Sequence, residues 1–179
     1  MTAANDELYS LLIPLNQERL ILPRVCVAEV VRYAPLQADE AAVPWLRGHV
    51  AWNGLHVPVI SFEELAGLTP AEPGGRTRVA ILNAIGGRLA TGFFGVLTEG
   101  FPQLVRVNRA VVQPAARQAW PENGPVICQI RMINEYPLIP DLEVIEDLIE
   151  DALRPREELL SLEQLVGAPS GAIDVRNRA

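Results

Sequence analysis

Short apolar runs separated by turn residues occupy most of the chain up to position 140. Residues 8–15 and 19–22 form two such runs around a polar triplet, and residues 25–33 form a third that is rich in valine. β-Branched residues in runs of this length are typical of strands. The pattern therefore predicts a hairpin followed by a third strand. Glu29 stands alone among the valines of that strand, so it must face solvent or pair with an arginine across an interface.

The clearest turn signal is Asn53-Gly54, which lies inside a largely apolar stretch that spans 48–60. Both residues tolerate the positive φ that a type I′ turn requires at its two central positions. We therefore predict a β-hairpin here. Ser61 follows the second strand and is predicted to cap the short acidic helical turn at 62–65.

A cluster of proline and glycine at 69–75 predicts a boundary between two similar halves, 8–68 and 76–140. The second half repeats the pattern of short apolar runs, interrupted by an irregular, proline-rich section at 114–125. Short strands with frequent turns favour small β-barrels, which leave no open sheet edge. The predicted strands of this half are 78–82, 89–97, 104–107, 126–133 and 136–139, with turns at Gly86-Gly87 and Asn134-Glu135.

From Asp141 onward, apolar residues recur at spacings of three and four, which predicts an amphipathic helix. Pro155 then opens a second helical stretch at 156–166, so helices are predicted across 141–167. Their apolar stripe either packs on the barrels or forms part of a partner surface. Together these elements predict one mainly β domain over residues 1–179 with a C-terminal helical segment.

The composition excludes several classes of function. With 179 residues, 49% of them apolar, the chain can build a proper core. A net charge of −7 argues against nucleic-acid binding, which needs clustered basic residues. No apolar stretch has the length of a membrane-spanning helix, and the N-terminus lacks the features of a signal peptide. We therefore expect a cytoplasmic protein without direct membrane insertion.

No residue pattern predicts catalysis, a metal site or a cofactor. His49 and His56 are the only histidines, and neither has the neighbouring ligands that a metal would need. The glycine pairs lack the spacing of phosphate-binding loops. Cys26 and Cys128 lie far apart in apolar surroundings and are interpreted as buried free thiols.

The region around the predicted hairpin resembles the signature of the CheW-like domain. That signature combines a tryptophan, a basic residue, a glycine, a strand, a turn glycine and a Pro-Val pair. Two polar positions depart from it, because Asn53 stands where the family usually has arginine and Ser61 where it usually has aspartate. The matching residues are Trp45, Arg47, Gly48, Val50, Gly54, Val57, Pro58 and Val59.

The resemblance implies both a fold and a role. The implied fold is two SH3-like, five-stranded β-barrel subdomains. The implied role is that of a coupling protein without catalytic activity, which links the cytoplasmic tips of chemoreceptors to the regulatory domain of a CheA-like histidine kinase. It also implies partner contacts at six positions. These are Val27, Glu29, Arg47, Gly48, Asn53 and Gly54.

The departures at Asn53 and Ser61 favour a paralogous adaptor over a flagellar coupling protein. Such adaptors serve chemosensory systems that control type IV pili and twitching. An arginine at position 53 could make a charge-assisted contact that asparagine cannot make. Two other functions remain open, because the chain could be a small-molecule sensor with a cleft between its barrels or a subunit of an unrelated complex.

Overall fold

The computed structural model describes residues 7–38, 43–115 and 117–154. Within these ranges the chain forms eleven strands and two α-helices, so the predicted mainly β fold with a C-terminal helix is confirmed. The strands are β1 (Leu8–Pro14), β2 (Arg19–Pro23), β3 (Val27–Arg32), β4 (Leu46–Trp52), β5 (Leu55–Ile60), β6 (Arg78–Asn83), β7 (Phe93–Thr98), β8 (Gln103–Val107), β9 (Val112–Ala115), β10 (Val126–Met132) and β11 (Leu138–Pro140), and the helices are α1 (Phe62–Leu65) and α2 (Leu142–Leu153).

The strands form two sheets. One has five strands in the order β3-β6-β7-β5-β4, and the other has six in the order β8-β1-β2-β11-β10-β9. The larger sheet therefore has one strand more than the five expected for each barrel. The additional strand is β9, which lies partly in the section that the sequence marks as irregular. Its Pro114 is tolerated because β9 is an edge strand, where a missing N–H can face away from the sheet.

The two sheets do not follow the predicted halves 8–68 and 76–140. Strands β1 and β2 belong to the six-stranded sheet, although β3, β4 and β5 belong to the other. The proline and glycine cluster at 69–75 links α1 to β6, and β5 and β6 lie in the same sheet. The predicted boundary is therefore wrong as a division between the sheets, because proline and glycine mark a loop without specifying which strands it separates.

The five-stranded sheet is closed by a short bridge beyond β3. Gln37 and His49 exchange two backbone hydrogen bonds, each 2.9 Å long, so the chain after β3 pairs with β4 at the opposite edge. Gly48 is essential to this approach. It has a φ of +121°, and a Cβ atom on it would overlap the carbonyl oxygen of Gln37. The expected small barrel is thus formed by a contact that only glycine accommodates.

The core has three parts. Val57, Val59, Val79 and Ile81 are completely buried on one face of the five-stranded sheet. A smaller cluster is formed by side chains of the six-stranded sheet. A central cluster lies between the two sheets and α2. Because the central cluster takes residues from both sheets, they pack as one body. Its largest fully buried members include Ile13, Leu20, Ile60, Phe62, Leu82, Phe94, Leu138, Ile145 and Ile149.

Helix α2 begins where the helical period was predicted to start, and the Asp141 carboxylate caps it by accepting a hydrogen bond from the Val144 N–H at 3.1 Å. Its apolar residues Leu142, Ile145 and Ile149 are buried in the central cluster, so the packing alternative holds for this stripe. The predicted second helix at 156–166 lies outside the described residues.

Glu146 on α2 is fully buried, which the spacing of acidic residues does not predict. Its Oε1 accepts a hydrogen bond from the Gly86 N–H at 2.8 Å, and its Oε2 has no partner among the described residues. This bond holds the loop 84–92 against the helix. The predicted hairpin turn at Gly86-Gly87 does lie between two antiparallel neighbours, β6 and β7, but it is part of a longer loop, since β6 ends at Asn83 and β7 begins only at Phe93.

The turn that follows strand β10 differs from the predicted one. The turn lies at Ile133-Asn134, one residue earlier than predicted, because Met132 and Glu135 pair with each other. Ile133 has a φ of 51° and is 81% exposed. A β-branched residue is disfavoured at such an angle, so the sequence carries no local signal for this turn.

Both cysteines are free thiols, as predicted, but only one is sheltered. Cys26 is half-buried, and this burial raises the pKa of its thiol. Cys128 is exposed, so the prediction of a buried thiol is wrong there. The register of β10 shifts between Val126 and Cys128, and this bulge places Ile127 and Cys128 both on the solvent side.

A buried carboxylate connects the β1–β2 turn to helix α1. The Asn16 N–H, in the turn between β1 and β2, donates a 2.6 Å hydrogen bond to Oε1 of Glu63 on α1. Glu63 is only 6% exposed, and this desolvation raises the pKa of its carboxyl. The Asn16 hydrogen bond works in the opposite direction, and the nearby charge of Glu99 adds to the rise. Burial is the largest of these effects.

Replacing Glu63 with glutamine is expected to change how stability depends on pH. The usual pKa of this carboxyl is 4.5, and its pKa in the folded state is higher. As pH rises above 4.5, Glu63 therefore loses its proton in the unfolded state but keeps it in the folded state. The free energy of unfolding of the wild type falls over this interval, until Glu63 ionises in the folded state as well. The glutamine is neutral throughout and lacks this loss. Urea unfolding at pH 4 and pH 7 should therefore show the variant gaining on the wild type at the higher pH. An identical pH profile would show that the carboxyl pKa is not raised.

Candidate partner-binding site

The signature hairpin forms as predicted. Strands β4 and β5 pair from Leu46 to Trp52, and Asn53 and Gly54 form the turn with φ angles of 47° and 76°. Both turn residues are exposed. Because both φ angles are positive, the turn meets the backbone requirement of type I′.

Glu29 lies beside this turn. It is on β3, and its Oε2 accepts a 2.7 Å hydrogen bond from the indole N–H of Trp52 on β4. The ring of Trp52 also meets that of Phe93 edge to face, with centroids 4.9 Å apart. The sequence left two alternatives for Glu29, which were to face solvent or to pair with an arginine across an interface. Glu29 is exposed, and its partner within the chain is an indole rather than an arginine. We call Glu29, Trp52, Asn53 and Gly54 the hairpin-tip surface.

Arg47 lies at the other end of β4. Its guanidinium is 2.9 Å from the Glu64 carboxylate, and the two side chains are 29% and 26% exposed. Glu64 in turn donates its N–H to the Ser61 hydroxyl at 3.3 Å, which confirms the predicted N-cap of α1. Arg47 therefore joins β4 to α1, and a partner that contacts it must compete with this ion pair.

Two further predicted contact residues have structural roles in the described fold. Gly48 is buried at the bridge with Gln37, so it presents no surface, and its predicted contact role is not supported by its position. Val27 is half-buried and packs against the central core. Of the six predicted residues, Glu29, Asn53 and Gly54 are brought together on an exposed surface, and their contact role stays a prediction.

Trp52 is the member of this surface that the sequence prediction omits. It could have been found, because an amphipathic tryptophan directly before an Asn-Gly turn has one polar atom to satisfy near solvent. Its contact with Phe93 could not have been predicted, because Trp52 on β4 and Phe93 on β7 meet only once both strands are placed in the five-stranded sheet.

The described residues offer little for other chemistry. They contain no group of three or more His, Cys, Asp or Glu side chains placed to hold a metal ion. His56 instead lies 2.9 Å from the Gln37 side-chain oxygen. Neither described α-helix is long and apolar enough to cross a membrane.

Replacing Gly54 with valine should lower the free energy of unfolding by about 1 to 2 kcal/mol, because a β-branched residue is forced to positive φ. No atom of the described residues lies within 4 Å of the position where a Cβ would be, so the effect is conformational rather than steric. Gly54→Asn is the matched control and should be much milder. Equal denaturation midpoints for the valine variant and the wild type would contradict this account of the turn.

The architecture consists of two small sheets around a shared core, with an exposed hairpin at one edge. Comparison with known families shows which family has this architecture. The family of the CheW-like domain matches residues 10–147, and the chain belongs to this family. Among solved structures, the chain is similar to the scaffolding protein TtCheW from Thermoanaerobacter tengcongensis, with a TM-score of 0.68 and 14% identity. The similarity covers 82% of this chain and 97% of that one, and it concerns the fold. A search of curated proteins gives no match.

Proposed function

We propose that the protein is a non-catalytic, cytoplasmic adaptor of a bacterial chemosensory array. It would link chemoreceptor tips to the regulatory domain of a CheA-like histidine kinase. The observation that carries the proposal is the family match over residues 10–147, which includes every strand except the first residues of β1, together with the first half of α2. The exposed hairpin-tip surface supports it, because a coupling protein needs an ordered contact surface rather than a catalytic cleft.

The two departures from the family pattern carry different weight. Ser61 is only 2% exposed, and its hydroxyl caps α1. Aspartate is an equally good N-cap, so this exchange keeps the structural role and gives no information about partners. Asn53 is exposed at the tip of the hairpin, where a side chain can reach a partner. The proposal of a pilus-type system rather than a flagellar one therefore rests on Asn53 alone.

The test is a pull-down of the full-length protein from its native cells, with partners identified by mass spectrometry. The wild type should recover a chemosensory kinase and chemoreceptors. Glu29→Arg reverses the charge of the hairpin-tip surface and should recover less of at least one of them. Glu122→Arg makes the same exchange at an exposed position between β9 and β10 and should behave as the wild type does.

Each other outcome bears on the proposal. If no array component is recovered by any form, the adaptor role fails. If Glu29→Arg and Glu122→Arg recover partners equally, the adaptor role stands but its surface lies elsewhere. Pilus-system components among the partners would support the finer assignment, and flagellar components would contradict it.

A further inference from the structure

A polar cleft of about 480 Å³ opens where the two sheets meet. Its walls on one side are the turn between β1 and β2 and the turn between β10 and β11, both from the six-stranded sheet. The other side is formed by Arg76, just before β6, and Glu99, just after β7. A volume of this size is within the range of small-molecule sites.

Three arginines line the cleft, and two of them form no ion pair with a carboxylate among the described residues. Arg19 pairs with Glu135 at 3.0 Å. Arg117 instead lies over the ring of Tyr136, with its guanidinium carbon 4.6 Å from the ring centroid. Arg76 has no hydrogen-bond or ion-pair partner among the described residues. Guanidinium groups bind carboxylates and phosphates through paired hydrogen bonds, so these two are free to act on a ligand.

Three carboxylates also line the cleft, and they differ in their partners. Glu135 is held by Arg19, and Glu99 accepts a 3.4 Å hydrogen bond from the Thr77 hydroxyl. Glu18 also lines the cleft and lies next to Arg19 in sequence. The side-chain amides of Asn16, Gln17 and Asn134 complete the walls with both donors and acceptors. Among the described residues, Glu18 and Glu99 have no cationic partner, so the cleft holds unpaired carboxylates at these two residues and unpaired guanidinium groups at Arg76 and Arg117.

We propose that this cleft binds a small organic anion with two or more negative charges, either a polycarboxylate or a phosphate ester, and that Arg76 and Arg117 hold its charged groups. Contact with the ring of Tyr136 restricts the guanidinium of Arg117, which lowers the entropy lost when it binds. Because the walls come from both sheets, a bound anion would link them. This inference goes beyond the adaptor proposal and does not depend on it.

The experiment is calorimetric titration of the full-length protein with citrate and, separately, with glycerol 3-phosphate, in sodium chloride of matched ionic strength. Amide NMR shifts should change in the β1–β2 and β10–β11 turns. Arg76→Ala and Arg117→Ala should each weaken binding by about tenfold or more, because each loses a charge-assisted contact. Arg24→Ala removes an exposed arginine elsewhere and should bind as the wild type does.

Binding of citrate alone or of glycerol 3-phosphate alone would support the proposal and decide between carboxylate and phosphate chemistry. Lack of binding of both probes by the wild type would overturn it. If Arg24→Ala weakened binding as much as the cleft variants do, the effect would be one of general charge, and the proposal would be overturned. If none of the three variants weakened binding, the anion would bind at another site, and the proposal would also be overturned. Thermal melts check folding, and unchanged melts are expected because Arg76 and Arg117 are exposed.

Discussion

Replacing Gly48 with alanine should destabilise the protein by about 3 kcal/mol, from the combined effects of backbone strain and steric overlap. The added methyl group would overlap the carbonyl oxygen of Gln37, which is backbone and cannot move aside as a flexible side chain could. The φ of +121° also disfavours any residue other than glycine. To relieve the overlap, the chain must lengthen or break the two hydrogen bonds between Gln37 and His49, which close the five-stranded sheet.

Urea unfolding followed by tryptophan fluorescence measures this effect. Gly75→Ala is the matched control, because its Cβ position has no atom within 4 Å in the part of the chain that the structure describes, and its φ is not in the left-handed region. The control should leave the midpoint nearly unchanged. If Gly48→Ala also left it unchanged, the bridge between Gln37 and His49 would not be what closes the sheet.

Replacing Asn53 with arginine should raise the affinity for a flagellar-type kinase regulatory domain or receptor tip by about ten- to a hundredfold. The physical reason is that a charge-assisted hydrogen bond contributes roughly 1.5 to 3 kcal/mol, and arginine restores the residue of the family pattern. Asn53 has a φ of 47°, which arginine tolerates less well, so a stability loss of about 1 kcal/mol should accompany the gain.

Titration of both forms against the two partners, with thermal melts, tests this expectation. Asn123→Arg provides a close control, because Asn123 is also exposed and also has a positive φ, at 60°. It should lose similar stability without gaining affinity. Equal affinity of the wild type and Asn53→Arg would make position 53 irrelevant and remove the support for a pilus-type paralogue.

Features that depend on neighbouring residues in sequence were predictable. The Asn53-Gly54 turn, the Ser61 cap and the start of α2 at Asp141 each follow from the backbone preferences of one or two residues. Short runs of apolar and β-branched residues between turn signals likewise placed most strands, because such residues pack well in a sheet. The CheW-like signature was readable for the same reason, since it is concentrated in one hairpin.

Features that depend on distant contacts were not predictable. The ion pair of Arg47 with Glu64 and the hydrogen bond of Trp52 with Glu29 both require the sheet to be assembled first. Burial of Glu146 required knowledge that the loop at Gly86 folds onto α2. Three of the six predicted contact residues consequently have roles within the fold that no local pattern reveals. Strand order was missed because adjacency in sequence was taken as adjacency in space.

The assignment of β1 and β2 to the six-stranded sheet has a consequence for synthesis on the ribosome. All strands of the five-stranded barrel lie within residues 27–98, so this barrel can close while the chain is still growing. The β1–β2 hairpin emerges first, but its neighbours β8 and β11 are made only after residue 102. Until then both of its edges are open to other strands. A nascent or truncated chain is therefore most vulnerable to aggregation at the β1–β2 hairpin, not at its unfinished end.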